Sequence, residues 1–511
     1  MRLFVHTFAL VAGAIICLCG AQSLATVINV GPSDTYAKIE GANPGDEVII
    51  APGTYAFRVY LTKQAGTTNP IYIHAQDPAN PPVWDFGTNL VDNAPGSYKG
   101  GDTARGGWQL SGAQNYTISG IIFRHCRNAA KNCGAIRYYE TTTNLCVKNC
   151  FFTSNDVGMT GGTQDSQATV EYCEFNANGN TNAPSSAPTH NIYIYGGYLT
   201  MRYCFIHDSI QGQNFHLRCR AATLEYNWFA RANNYEGDLM SDDDFTGPGP
   251  YTQTLIFRGN GLVQNSSPGN HSQVLVLFND SSVSNLTMSV QVLYNTFVGT
   301  YGSSQFVHLS NADGTSMNAQ ISDTIISGTT VPYYIESAAA GSASGVNNWM
   351  PLNAAPGALS NSIQSASPGF RNPAMEDYHL APGSACIGGA NASVYGLPGK
   401  EYYYNEATNL MWRPRAAARD LGAFESTSTN NPVGPYDAPL QPTLNINLPP
   451  HSTNALLSWP LFAQDFQLAQ SLFFPTPVWS AAPVIYTTNA SNVTATVPVN
   501  ASSEFFCLQK F

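Results

Sequence analysis

The stretch "HNIYIYGGYLTMRYCFIHDS", His190 to Ser209, decides the reading of this chain, because "NFHLRCRAATLEYNWFARA", Asn214 to Ala232, repeats its pattern. In each, a short apolar-polar alternation is followed by a break and then by a second alternation. Taking Cys204 as a column marker, Met201 lies three residues before it and Ile206 two after it, both apolar. The frame apolar-x-x-marker-x-apolar fits eight times, with markers Ile121, Cys150, Cys173, Cys204, Asn227, Asn260, Asn295 and Thr324. Successive markers lie 23 to 35 residues apart, which is the period of a solenoid.

The repeating segments are short, β-branched and aromatic, and separated by Gly, Asn and Ser, so the repeat is built of strands. Residues three apart on an unbroken strand point to opposite faces. All three columns can face one interior only if the chain bends between the leading apolar residue and the marker. A further strand completes the coil, as in "AIRYY" from 135, "NIYIY" from 191 and "QVLVLF" from 273. About three strands per coil, stacked about 4.8 Å apart, turn the columns into ladders.

With the ladder and its asparagines in view, the chain resembles the right-handed parallel β-helix of pectate-lyase-like proteins, specifically the bacterial right-handed β-helix repeat proteins. The opening "KIEGANPGDEVIIAPGTY", Lys38 to Tyr55, is similar to the first coils of such proteins. The stretch from "YHLAPGSACIGGA" to "DLGAFE", Tyr378 to Glu425, is similar to their closing segment. The resemblance implies a fold, and that fold carries lyases, hydrolases, esterases and adhesins alike.

Composition agrees with an all-β chain: 511 residues, only 11% charged, with 44 glycines and 32 prolines. The net charge of −11 supplies no basic stripe for a nucleic acid. Residues 1–25 read as an export signal, with Arg2, an apolar run from Phe8 to Leu18 and a small-x-small site at Ser23-Leu24-Ala25. A secreted protein, acting as a monomer without a membrane span, is expected. The β-helix is expected over 26–425, a linker rich in Ser, Thr, Asn and Pro over 426–442, and a small β-sandwich module over 443–511, with strands such as "ALLSW" and "EFFCLQ".

Eleven cysteines become nine once Cys17 and Cys19 leave with the signal. Cys150, Cys173 and Cys204 occupy three successive rungs, where a stack of small buried side chains is expected rather than a metal or redox site. In-register rungs hold their Cβ atoms too far apart for disulfides, which leaves Cys126 and Cys133 as the better candidate pair.

A β-helix has a filled interior, so chemistry belongs on its outer face. If Ile192, Ile194 and Leu217 face inward, then Tyr193, Tyr195, His216 and Arg218 face outward, with Arg220 at the bend. The next coil, "YEGDLMSDDDF", brings the acids Glu236, Asp238, Asp242, Asp243 and Asp244. Arginine suits a sugar carboxylate, and tyrosine offers a face for a sugar ring. The expected catalytic residues are therefore His216, Arg218 and Arg220, and the expected substrate-binding residues are His190, Tyr193 and Tyr195. Asp242, Asp243 and Asp244 are candidate calcium ligands, against the alternative of a solvated turn. The "NFHLRCRA" run is also similar to one in uncharacterised β-helix proteins that more often reads Gly-His-Asn then Lys-Ser-Arg. That match puts Arg218 at the usual Lys and Arg220 at the usual Arg. Of the motif set of polygalacturonase-like hydrolases only a paired Asp and a loose "RCR" are present. The expected function is a polysaccharide lyase on acidic glycans; the alternative is a non-catalytic, adhesin-like glycan binder.

Overall fold

In the computed structural model the chain is described over residues 25–98, 105–426 and 444–509, apart from short stretches at 164, 185–188, 265–272, 282, 300–304, 311–314, 337–340, 392–395, 406–409, 417–418, 450–451, 461–466, 472–479, 489–491 and 499–504. The export signal lies outside the described residues, and so does nearly all of the expected linker. Three parallel sheets run the length of the first unit. The first has 13 strands, from Val27–Val30 to Leu359–Ser360; the second has 12, from Thr54–Tyr55 to Ile363–Ser365; the third has 10, from Val59–Leu61 to Val331–Ile335. Each coil contributes one strand to each sheet, as Tyr198–Arg202, Phe205–His207 and Phe215–Leu217 do in turn. This is the expected parallel β-helix.

The register reproduces the sequence columns. Ile118, Val147, Val170, Met201, Leu224, Phe257, Val292 and Ile321 pair successively across the first sheet. Phe123, Phe152, Phe175, Ile206, Phe229, Leu262, Phe297 and Ile326 do so across the second. Both columns are buried. The bend between them falls on the residue just before each marker. Gly120, Asn149, Tyr172, Tyr203, Tyr226, Gly259, Tyr294 and Asp323 all have φ between +51° and +73°. For a non-glycine residue that conformation costs about 1–2 kcal/mol, so something must hold it.

At the later rungs the markers do. Asn227 Nδ2 donates to Asn260 Oδ1 at 3.1 Å, and Asn260 Nδ2 to Asn295 Oδ1 at 3.1 Å. The same two amides donate their other hydrogen to Met201 O and Leu224 O of the preceding coil. The oxygens also accept backbone N–H groups freed by the bend, as Cys204 N to Asn227 Oδ1 at 3.0 Å. Asn348 prolongs the ladder by accepting from Thr324 N. Buried bend groups are thus satisfied, which the interior demands.

A second ladder, unforeseen in the sequence, lines the bend between the second and third sheets. Asn155, Asn178 and Asn191 each donate Nδ2 to the oxygen of the next, ending at Asn214, at 2.8–2.9 Å, and Asn214 donates to Glu236 Oε2 at 2.7 Å. Every cysteine among the described residues is a free thiol, including Cys126 and Cys133. The expected disulfide between those two is therefore corrected: both are free thiols buried in the core, and burial raises both well above their ordinary value. Cys150, Cys173 and Cys204 form the expected buried stack.

The coils end at Ser365, and residues 370–426 do not continue them. This arm runs back along the outer face of the second sheet, where Phe205, Trp228 and Val263 pack against Tyr378, Tyr402, Met411 and Phe424. Hydrogen bonds pin it, as Lys400 Nζ to Tyr203 Oη at 2.8 Å and Ala423 N to Thr296 Oγ1 at 2.9 Å. The coils thus stop well short of the expected boundary at Glu425, and residues 427–443 lie outside the described ones. Residues 444–509 form two small antiparallel sheets of four and three strands around Leu457, Trp459, Leu468 and Val493, a β-sandwich as expected.

The columns make a direct prediction. Val170→Lys and Phe175→Lys each bury an unpaired charge at about 3–5 kcal/mol and should abolish the cooperative melt. Glu171, between them in sequence, points outward and binds Arg202 at 2.7 Å. Glu171→Lys should cost only about 1 kcal/mol by chemical denaturation. Equal tolerance at the three positions would contradict the stacking.

Candidate active site

The outward column of the third sheet brings three functional side chains together. Tyr193 pairs in register with His216, and His216 with Asp238. Ile192, Ile194 and Leu217 face the core, as the alternation requires. Gly237 sits where a Cβ would lie 2.1 Å from the Phe215 ring, so only glycine lets the strand lie this close. That placement turns the next residue, Asp238, outward beside His216.

Asp238 is fully buried, and its Oδ1 lies 2.8 Å from His216 Nδ1, in contact but off the line of a hydrogen bond. Tyr235 Oη donates to the other carboxylate oxygen at 3.1 Å. A small rotation of the imidazole would align the pair, fixing the proton on Nδ1 and leaving Nε2 as the base; such bonds commonly tighten only when substrate is bound. The Tyr193 ring meets His216 edge to face at 4.7 Å, and Tyr195 lies 5.7 Å beyond Tyr193. Burial raises the Tyr193 phenol above its ordinary value, against the opposing pull of Arg218, so the phenol stays protonated.

His190 stacks on His216 at 4.6 Å but is itself buried. Its Nδ1 accepts from Gln213 N at 3.1 Å, and burial together with His216 holds it well below its ordinary value. It is a neutral support behind His216 rather than a surface for substrate.

The two arginines differ. Arg218 Nη1 donates to Ser241 O and Asp243 Oδ1, each at 2.9 Å, and to Asp280 Oδ1 at 3.1 Å, while Nη2 also binds Asp280. Arg220 lies over the Phe245 ring at 5.7 Å, with Nε 3.7 Å from Asp242 Oδ2, too long for a hydrogen bond. Asp280 was not legible as a partner, although it follows the strand Gln273–Phe278, the next neighbour in the third sheet.

The three aspartates do not converge. Asp243 is taken by Arg218, and Asp242 Oδ1 accepts from Asp244 N at 2.8 Å, closing a turn. Burial, with Asp244 nearby, pushes Asp242 up to about 7. Among the described residues no group of three His, Cys, Asp or Glu side chains could hold a metal ion. Glu236 does not face the site either. It ends the second amide ladder inside the bend.

No protein-family model matches the chain, and no curated protein matches its sequence. Solved structures similar to it include pectate lyase Pel9A, at 15% identity and a TM-score of 0.48, covering 79% of this chain and 97% of that one. An alginate lyase from Paenibacillus sp. str. FPU-7 is 12% identical with a TM-score of 0.38, covering 62% and 97%. A mannuronic acid specific polysaccharide family 6 lyase from human gut microbiota is 11% identical with a TM-score of 0.38, covering 66% and 91%. At these identities the likeness is one of fold.

Glu236 yields a pH prediction. Burial pushes its carboxyl up to about 8, against the hydrogen bonds from Asn214 and Ala232. The folded state therefore binds a proton that the unfolded state releases above its ordinary value of 4.5. Its contribution to stability falls as pH rises from about 4.5 to about 8 and is level outside that window. Denaturation midpoints of wild type minus Glu236→Gln should fall across this range; a flat difference would place the charged form in the fold.

Proposed function

We propose that this face binds an acidic polysaccharide and cleaves it by β-elimination, in a protein exported through its leading segment. The observation that carries the reading is a concentration of buried polar atoms without hydrogen-bond partners around one histidine. His216 Nδ1 faces Asp238 Oδ1 at 2.8 Å and, on the same segment, Arg220 Nε faces Asp242 Oδ2 at 3.7 Å, each pair off hydrogen-bond geometry, and Arg218 Nε and Gln213 Oε1 beside them are also unpartnered. Unsatisfied buried groups are costly in a folded protein and gather where a ligand completes them.

In this reading Arg220, the less engaged arginine, holds the sugar carboxylate and draws charge from the neighbouring carbon. His216 Nε2 takes the C5 proton, Asp238 steadying the imidazolium that forms. The C5–H electron pair becomes the C4=C5 bond, the C4–O bond breaks, and the leaving oxygen takes a proton from the Tyr193 phenol. Tyr195 offers a ring face beside Tyr193. Arg218 positions the loop of Asp243 and Asp280 rather than substrate. No step is assigned to calcium.

A second reading, binding without cleavage, is favoured by the capture of Arg218 between two carboxylates, which removes one of the two expected cations. Incubation with polyuronates separates the two. The first reading expects an ultraviolet-absorbing unsaturated end, with His216→Ala and Arg220→Ala each lowering turnover at least 100-fold while leaving the melting temperature within a few degrees. Binding with no new ends would establish the second reading. Unchanged turnover in both variants would remove the site.

A further inference from the structure

A cavity lies away from His216, on the corner between the first and second sheets. It has a volume of about 660 Å³, within the range of small-molecule sites. Its origin is visible in the column of left-handed bend residues. Tyr172, Tyr203 and Tyr226 stack their rings at 5.3 and 5.9 Å. The arm seats on them, Trp412 Nε1 donating to Tyr172 Oη at 3.2 Å and Lys400 lying 4.8 Å from the Tyr203 ring. In the two preceding coils the column changes to Asn149 and Gly120, and the cavity opens where two more rings would stand.

Two missing rungs leave roughly 10 Å along the axis. The walls are aromatic, with Tyr404 from the arm on one side and Tyr72, 46% exposed, on the other. The ionisable groups of its lining include Lys148, Glu174 and His74, the last turned to Glu47 at 2.8 Å. Lys148 makes no ion pair among the described residues, and the Asn149 side-chain amide makes no hydrogen bond among them, its backbone N–H donating to Glu171 O at 3.1 Å. Glu174 faces in from the second sheet, with one oxygen 3.2 Å from His207 Nε2.

We propose that this cleft is a second carbohydrate site, which takes a neutral sugar ring stacked in the place of the missing tyrosines. The flat C–H face of a sugar suits Tyr172 and Tyr404. Its hydroxyls accept from Lys148 and Asn149 and donate to Glu174. Lys148 faces Glu174 and His74 is engaged by Glu47, so the lining gives no net attraction for a polyanion and selects against an acidic chain. It stands independently of the reading of that face.

The column supplies its own test. Tyrosine already occupies the equivalent left-handed bend in the next three coils, so Asn149→Tyr is compatible with the backbone and fills the cleft. Titration calorimetry would use cello-, manno-, xylo- and galacto-hexaoses as neutral probes and hexagalacturonate as the acidic one. A neutral probe should bind wild type and His216→Ala alike. Asn149→Tyr should weaken it at least tenfold with no loss in melting temperature. Tyr72→Ala, at an exposed position, and Tyr404→Ala should weaken it as well, which keeps the test open if Asn149→Tyr fails to fold. Absence of binding by every neutral probe, undiminished binding by all three variants, or equal competition by hexagalacturonate would each overturn the proposal.

Discussion

One residue per coil, held in the left-handed region immediately before a buried marker, sets the geometry of everything else in this chain. It lets residues three apart in sequence face the same interior, which no continuous strand permits. At the later rungs its strain is offset by the marker amides, whose oxygens take the bend's freed N–H groups and whose nitrogens reach both neighbouring coils. Without those amides the later bends would bury unpaired backbone groups, and without the bends the amides would have no row to align in.

The same stacking positions the candidate site. Tyr193, His216 and Asp238 come together because they occupy one outward column, at strand spacing, on a rigid sheet. A site assembled this way is pre-organised by the scaffold rather than by loops. The loop residues Asp243 and Asp280 then adjust it by clasping Arg218. The candidate site therefore divides between a fixed column and two loops of successive coils that hold one of its arginines.

The coils were legible in the sequence because a strand's period is strict and the apolar columns repeat without a gap from Ile118 to Ile326. The outward placement of Tyr193, His216 and Arg218 followed from the same period. Less was legible where partners come from distant chain. The arm explains why Phe205 and Trp228, at outward positions, are apolar and buried; the loss of alternation in "FIH" and "WFA" was its signal. The contacts of the run Asp242-Asp243-Asp244 were not legible, because adjacency in sequence does not bring carboxylates to one point. Burial of Asp242 and capture of Asp243 by an arginine depend on the turn and on the neighbouring coil. The tyrosines at the bend gave no sign of left-handed backbone, since bulky residues seldom adopt it and here do so under a stack of their own rings.

The arm also divides the molecule in time. Bends in neighbouring coils join residues as few as 23 apart, as Cys204 and Asn227 are, so each coil can close on the one before it as the chain arrives. Lys400 meets Tyr203 across 197 residues. Loop-closure entropy rises by about 0.6 kcal/mol per doubling, so about three doublings put that contact about 2 kcal/mol behind the local ones. Until it forms, Phe205 and Trp228 stand bare on the outer face of the second sheet. The interval between winding the coils and docking the arm is thus the period in which a nascent chain offers its stickiest surface to other chains.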